Sequence, residues 1–465
     1  MKKTLIIIGA GPAGLAAALE AKKNNLKVII LEKKNKPGGK GASDEHKDFI
    51  FDYGPHAFHA TTKEISDCIK YYAGKNLLEL DIKQSLYITE KEMKYPFSIM
   101  SIKYLSLKLN INIFFDFFVS LFRNLILKPK IRSFKDFGEL RFGKTLHNLC
   151  FGNYTKRVLG YDTSLLSVEY ARRKLPSSSI FDFLIKLIFK TKKENQSYLN
   201  VRKYIYHKYG MGKIFESMAK DIPKDGDEII YNCNIEKFIF NKNFKIEGVQ
   251  IKSPEQKTIY CDYVFSSCPL DELMTYSNIK IEYQNNKLPS LKYKNVVIIN
   301  VILNKKNFSD NHWIYLVNEK FYFNRLSEQK NFSKFCTPEN KTVVMFEKIV
   351  DFNDEEWIFQ KTDWKKKVLS DLSFFGINDS EIEDIVVKKI EKAYPIFFVD
   401  FEKTLNEIYF KLGKIENLIS SGRYGLYLDI NMHDSMFLAK KSIKYLLEKN
   451  PENYYQIYEK LIERK

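Results

Sequence analysis

The feature that most constrains this chain is the run Gly9-Ala10-Gly11-Pro12-Ala13-Gly14, a G-x-G-x-x-G turn between an apolar stretch at residues 4–8 and an alanine-rich stretch at residues 12–24. Glycines at that spacing, in that setting, predict a strand, a tight turn and a helix, with the next strand at Lys27 to Leu31. Gly9 permits the turn, Gly11 lets a pyrophosphate approach the backbone, and Gly14 lets the helix pack closely on the strand. Pro12 and Ala13 open the helix, whose N-terminus offers unpaired N–H groups and a partial positive charge to phosphate. Glu32 follows the second strand, where a carboxylate accepts hydrogen bonds from a ribose and repels a 2′-phosphate. Gly9, Gly11, Pro12, Ala13, Gly14 and Glu32 are therefore candidate nucleotide-binding residues.

Composition excludes several other classes. With 465 residues, 45% hydrophobic and 15% aromatic, the chain can fill the cores of two domains. The six cysteines form no CxxC pair, so neither a disulfide framework nor a metal cluster is expected, and a reducing cytoplasm is the natural compartment. The net charge of +18 reads first as a chain-wide abundance of lysine, with a functional surface field as the alternative. No arginine-rich arm or zinc-ligand spacing accompanies it, so no nucleic-acid partner is expected.

Beyond Glu32, the run Lys36-Pro37-Gly38-Gly39-Lys40-Gly41 resembles the GG(R/K) loop of glutathione-reductase-type and amine-oxidase-type flavoproteins, where backbone groups run along the cofactor. Asp52-Tyr53-Gly54-Pro55-His56-Ala57-Phe58-His59 resembles the segment beside the isoalloxazine in UDP-galactopyranose mutase and its oxidase-like relatives. That likeness makes His56 a catalytic candidate; a loop histidine bonded to backbone is the alternative. Arg141 to Lys144, Tyr154 to Gly160 and Tyr206 to Gly212 continue the likeness, with His207 where relatives carry proline. Gly422-Arg423-Tyr424-Gly425 resembles the late GR.G stretch that meets the pyrophosphate and ribityl end. Met432 follows in Asn431-Met432-His433-Asp434, where oxidase-like relatives often show N-M-D-H and mutases D-M-H. Ile235 falls where relatives pair backbone groups with adenine.

With gaps, the likeness covers nearly the whole chain, which is similar to the flavoenzyme group around protoporphyrinogen oxidase, amine oxidases and UDP-galactopyranose mutase. The resemblance implies FAD, bound through Gly38, Gly39, Lys40, Ile235, Gly422, Arg423 and Met432 beside the first glycine turn. Non-covalent binding is expected, since no cysteine stands near Gly422-Arg423. Hydride transfer from a small organic, lipid-linked or sugar-nucleotide substrate is the implied reaction. A redox-neutral mutase reaction and a non-catalytic flavin-bound scaffold are its alternatives. No second G-x-G-x-x-G is present for a nicotinamide donor.

Two features lie outside the nucleotide motifs. In Phe321-Tyr322-Phe323-Asn324-Arg325-Leu326, strand alternation predicts Phe321, Phe323 and Arg325 on one face. Arg325 then either binds an anionic substrate group or pairs with Glu347 on a neighbouring strand. Residues 111–127 (INIFFDFFVSLFRNLIL) are apolar nearly all round, with only Asp116 and Arg123 charged, a poor membrane span. They read as a core helix or as an interfacial helix at the inner face of a membrane. A second apolar stretch at Ile180 to Phe189 is followed by lysines.

The expected architecture is α/β: a Rossmann-like FAD-binding domain of the glutathione-reductase type with an inserted α+β substrate domain. The nucleotide domain is assigned residues 1–75, 205–270 and 401–465. Residues 76–204 are the helical part of the substrate domain and 271–400 its sheet. Helices are predicted at Phe134 to Leu159 and Ser177 to Phe189, strands at 295–302, 313–316, 320–325 and 342–349, and two strand-like runs around 229–265. A closing helix is predicted at Asp434 to Lys449, with Asp434 or Ser435 near its N-cap. The sequence specifies no oligomeric state.

Overall fold

The computed structural model describes residues 2–59, 62–95, 105–127, 129–175, 203–224, 226–281 and 291–456. The chain divides into two compact units, Met1–Glu79 with Ile205–Leu291 and Glu402–Lys465, and Leu80–Tyr204 with Lys292–Phe401. Residues 271–291, assigned by sequence to the substrate sheet, group with the first unit.

In the first unit, β1 (Thr4–Ile8) lies at the centre of a five-stranded sheet ordered Leu418–Ser420, Tyr263–Ser266, β1, β2 (Lys27–Leu31) and Glu228–Ile230. Every pairing in it is parallel. Such strands are covered on both faces, which is why TLIII and KVIIL are continuous apolar runs and not alternating ones. Helix α1 (Pro12–Lys23) makes the crossover between β1 and β2, and its small residues Ala16, Ala17, Ala18 and Ala21 are buried. The closing helix, Met432–Leu447, packs against α1. It begins earlier than predicted: Asn431 is the N-cap, and Asp434 closes the capping box from the third helical position. The hairpin of β3 (Ser43–His46) and β4 (Phe49–Asp52) and helix α2 (Lys63–Ala73) complete the N-terminal segment. Between residues 228 and 266 the chain makes five strands, where the periodicity marks only two runs. Three of them, Asn234–Phe240, Ile246–Lys252 and Gln256–Tyr260, form a separate antiparallel sheet.

The second unit is built on a seven-stranded sheet ordered Ile382–Ile396, Lys292–Leu303, Thr342–Val350, Arg325–Glu328, Trp313–Leu316, Gln84–Tyr87 and Met93–Lys94. Helix Lys361–Phe374 covers one face, burying Trp364, Val368 and Leu372 against Val297, Ile299 and Phe346. The helical part comprises α3 (Leu107–Phe122), extended by a π-turn at Arg123–Leu127, then α4 (Phe134–Phe142), α5 (Lys144–His147), α6 (Asn153–Leu159) and α7 (Val168–Lys174). The single helix predicted over 134–159 is broken at Gly143, whose φ is +77°. A Cβ there would stand 2.9 Å from Asp116 Cβ, so α3 crosses at this break. The helix predicted at 177–189 and the apolar stretch 180–189 lie outside the described residues.

Candidate functional site

The first glycine turn and the second one meet backbone to backbone. Gly38 N donates to the Ala10 carbonyl at 2.8 Å. A Cβ on Gly39, which has a φ of +55°, would come within 3.1 Å of Gly11 Cα. The two loops therefore form one cradle of bare backbone at the N-terminus of α1, where Gly11 is the N-cap and makes no side-chain cap bond. Behind it, a Cβ on Gly14 would stand 1.8 Å from the Gly9 carbonyl oxygen, so helix and strand touch there without a side chain between them. That arrangement suits a pyrophosphate, since the donors of the first helical turn and the open approach coincide.

Glu32 stands at the C-terminal end of β2 and is buried. Its Oε2 accepts from Ala10 N at 2.7 Å and its Oε1 from Lys34 N at 2.8 Å, which fixes the carboxylate between the glycine turn and the loop that follows β2. The segment before Ile235 runs alongside: Cys233 N donates to the Glu32 carbonyl at 2.9 Å and Asn232 N to that of Lys34 at 3.1 Å. Ile235 itself is the second residue of the first antiparallel strand, opposite Ile251 and beside a register irregularity. Ile235, Glu32 and the glycine turns are thus brought together at the C-terminal end of the parallel strands β1 and β2.

The late motif joins the same unit. A Cβ on Gly422 would lie 2.7 Å from the Ala13 side chain, and one on Gly41 would lie 2.9 Å from Met432 Sδ. Arg423 pairs with Asp429 at 2.5 Å and donates to the Ile430 carbonyl at 2.6 Å. Its fork is thus held within its own loop. The Lys40 ammonium sits 3.6 Å from the centre of the Tyr424 ring. His56 N donates to the Gly54 carbonyl at 2.8 Å, and a Cβ on Gly54 would lie 3.2 Å from His56 Nε2, so the half-buried ring folds back over its own turn.

Several residues that join this region are not among the site candidates drawn from the sequence: Ser267 stands in no motif, and Asp52, His59 and His433 lie within motifs without being assigned a role. Ser267, after strand Tyr263–Ser266, donates its hydroxyl to the Ile8 carbonyl at 2.8 Å and closes the turn at Gly9 from the far side. Buried Asp52 accepts from Ser43 Oγ at 2.5 Å, Tyr206 Oη at 2.6 Å and Met211 N at 3.1 Å. This knot ties the β3–β4 hairpin to the Gly210-Met211-Gly212 turn, and the close approach of Ser43 explains why positions 210 and 212 are glycine. The rings of His59 and His433 meet edge to face with centroids 4.3 Å apart. Burial first, then the neighbouring His433, pushes the His59 pKa down to about 4.

Arg325 is the other predicted site residue, and it belongs to the second unit. It lies directly opposite Glu347 in adjacent antiparallel strands and is bonded to it twice, Nε to Oε1 at 2.9 Å and Nη2 to Oε2 at 2.7 Å. Burial opposes the Arg325 charge, but Glu347 outweighs burial and holds the guanidinium well above its ordinary range. Tyr315, paired opposite on the next strand, has its ring centre 5.9 Å from the guanidinium carbon. Tyr154 donates to the Asn324 carbonyl at 3.0 Å, and the Tyr95 and Tyr315 rings meet at 5.2 Å. The predicted wall of Phe321, Phe323 and Arg325 is not formed. The strand starts only at Arg325, because Asp371 accepts from Tyr322 N and Phe323 N and holds that segment in a bend. Phe323 packs on Phe346 in the core, on the side of the sheet away from Arg325.

A parallel sheet whose central strand runs into a glycine cradle at a helix N-terminus defines a Rossmann-like fold. Residues 7–72 match the NAD(P)-binding Rossmann-like domain family. Coproporphyrinogen III oxidase of Staphylococcus aureus is 25% identical over 294 residues, which are 55% of this chain and 61% of that protein's length. The chain thus spans less than two thirds of this relative. Among solved structures, reduced UDP-galactopyranose mutase superposes with a TM-score of 0.80 at 17% identity over 97% of both chains. A protein of Exiguobacterium assigned as a protoporphyrinogen oxidase gives 0.73 at 15% identity over 96% of this chain and 99% of that one. These matches bear out the resemblance to the group that holds protoporphyrinogen oxidase, amine oxidases and UDP-galactopyranose mutase, and with it the Rossmann-like fold carrying a second, mixed unit.

Proposed function

We propose that the protein is an FAD-dependent oxidoreductase that takes two electrons and a proton, as a hydride equivalent, from a small organic substrate. The observation that carries this reading is the close approach of Gly11 and Gly39, a side-chain-free cradle backed by the N-terminus of α1 and flanked by Glu32. A Cβ at Gly39 would fill that space, so the residues present fit a dinucleotide whose pyrophosphate lies against backbone. In this reading the α1 N-terminus and Gly11 hold the pyrophosphate, Glu32 faces the adenosine ribose, and Gly38, Gly39 and Lys40 run toward the flavin. Gly422, Arg423 and Met432 close over its ribityl end, and backbone near Ile235 faces adenine. Bound FAD supplies the acceptor for the hydride equivalent. In this reading His56 stands at the reacting face, which its likeness in sequence supports, and Arg325 serves an anionic group of the substrate. The two electrons leave to oxygen, a quinone or a soluble carrier. The coproporphyrinogen oxidase relative supports oxidation over the alternatives.

A second reading is a redox-neutral mutase reaction on a sugar nucleotide, favoured by the likeness to UDP-galactopyranose mutase over 97% of both chains. Two assays distinguish them. An oxidase consumes one two-electron acceptor for every two electrons the substrate loses, assayed aerobically with amines, porphyrinogens and polyenes. A mutase turns over many times when reduced once and kept anaerobic with a panel of sugar nucleotides, and that result would replace the first reading with the second. The purified protein is expected to be yellow and to release intact FAD on acid precipitation; pigment retained in the pellet contradicts non-covalent binding.

A further inference from the structure

Helix α3 turns Asp116 and Ser120 toward the protein and most of its described apolar side chains to the outside. Asp116 accepts from Thr145 N at 2.6 Å, Ser120 donates to the Leu140 carbonyl, and Asn124, just beyond the helix, donates to the same carbonyl at 3.0 Å. These three residues recur every four positions, so they mark one face and dock it on α4 and α5. Ile113 is the one fully buried apolar side chain among those described in the helix. On the other side Leu107, Ile111, Phe114, Phe115, Phe118 and Phe122 are exposed, from 50% at Phe118 to 76% at Leu107. At ~100° per residue they fall within one arc of roughly 100°. Ile126 and Leu127 carry the apolar surface onward through the π-turn.

An exposed apolar stripe of this size marks a contact surface, since scattered apolar residues are ordinary and a continuous row of phenylalanines is not. Charge identifies what it contacts. Lys108, Arg123 and Lys130 are exposed in and just after the helix. Asp116, the one acidic residue among the described residues 105–132, is turned inward on Thr145 N. A second copy of the chain packed on the same face would bring these cations toward their own counterparts. An anionic surface would neutralise them. At ~1.5 Å per residue the helix is about 24 Å long, enough to lie along a surface. No helix among the described residues is long and apolar enough to cross a membrane. We propose that α3 docks flat on an anionic lipid bilayer, its phenylalanines in the acyl boundary and Lys108, Arg123 and Lys130 at the phosphates.

The test uses the full chain and vesicles of phosphatidylcholine alone or with about a third phosphatidylglycerol, a composition that separates apolar from electrostatic binding. The protein should sediment with the anionic vesicles at least tenfold more strongly than with the neutral ones. Phe114→Asp with Phe118→Asp should abolish sedimentation while the circular dichroism spectrum and melting temperature stay as in the parent. Lys108→Gln with Arg123→Gln and Lys130→Gln should remove the preference for anionic lipid. Phe115→Trp keeps the side chain aromatic, and its fluorescence should shift to the blue when vesicles are added, over and above any change in the parent. The proposal is overturned if the parent stays in the supernatant with both vesicle types, or if the Phe115→Trp emission does not move. A dimer in solution that the double aspartate variant splits, without vesicle binding by the parent, assigns the face to a second copy instead.

Discussion

Arg325 and Glu347 face each other across two antiparallel strands and share both of their forked hydrogen bonds, at 2.9 and 2.7 Å. Glu347 is buried, so removing its partner leaves a carboxylate with neither water nor cation. Arg325→Met should therefore cost about 3–5 kcal/mol in urea unfolding. Arg325→Met combined with Glu347→Leu removes both charges and should recover most of that loss. The double variant also separates structure from chemistry. If Arg325 holds an anionic substrate group, KM in the refolded double variant rises at least about tenfold, a loss of ~1.4 kcal/mol or more. An unchanged KM would confine Arg325 to holding the sheet together.

The glycines of the first turn should respond differently to alanine. Gly14→Ala puts a methyl 1.8 Å from the Gly9 carbonyl oxygen, so α1 must move off the turn at Gly9, at a cost of about 1–3 kcal/mol or more. At Gly11 the nearest atom to an added Cβ is Gly39 Cα at 3.8 Å, and the backbone there is extended, so Gly11→Ala should fold within about 1 kcal/mol of the parent. Its new methyl points into the space assigned to the pyrophosphate, so flavin content after purification should fall severalfold. Full flavin in a stable Gly11→Ala protein would show that the cradle holds something else.

The nucleotide half was readable because its requirements fall on residue identity. At Gly14 only a hydrogen fits against the Gly9 carbonyl, and the continuous apolar runs of β1 and β2 follow from burial on both faces. Register was readable only in part. The sequence offered Glu347 on a neighbouring strand as a partner for Arg325, and the structure forms that pair, but the bend held by Asp371 came from a residue far along the chain. The closing helix offered several good N-caps within five residues, and only geometry chose Asn431. For residues 111–127, a nearly all-round apolar helix cannot declare which side the fold covers. The structure docks the Asp116, Ser120 and Asn124 side and leaves Phe114, Phe115, Phe118 and Phe122 out, against the core-helix reading.

Four buried histidines set an acid limit on the fold. Burial is the first cause at each of them, and it pushes His59, His147, His207 and His312 from 6.5 down to about 4. Neighbouring cations add to it: Lys135 beside His147, Lys213 beside His207 and Lys83 beside His312. Each ring is neutral in the folded chain and protonates readily once unfolded. Between the two pKa values the unfolded state therefore binds more protons, and stability rises with pH. The contribution is fully present above about 6.5, is lost as the pH falls toward 4, and changes no further below that. For one such histidine the loss amounts to about 3 kcal/mol. His147 is the cleanest case. It is fully buried among α4, α5 and the turn at Gly152, with neither ring nitrogen hydrogen-bonded among the described residues. His147→Leu cannot titrate, so it should lower stability at pH 8 through imperfect packing yet lose less than the parent on going to pH 5. Urea midpoints at the two pH values decide the matter. An equal drop in parent and variant would mean that His147 takes no part in the acid sensitivity.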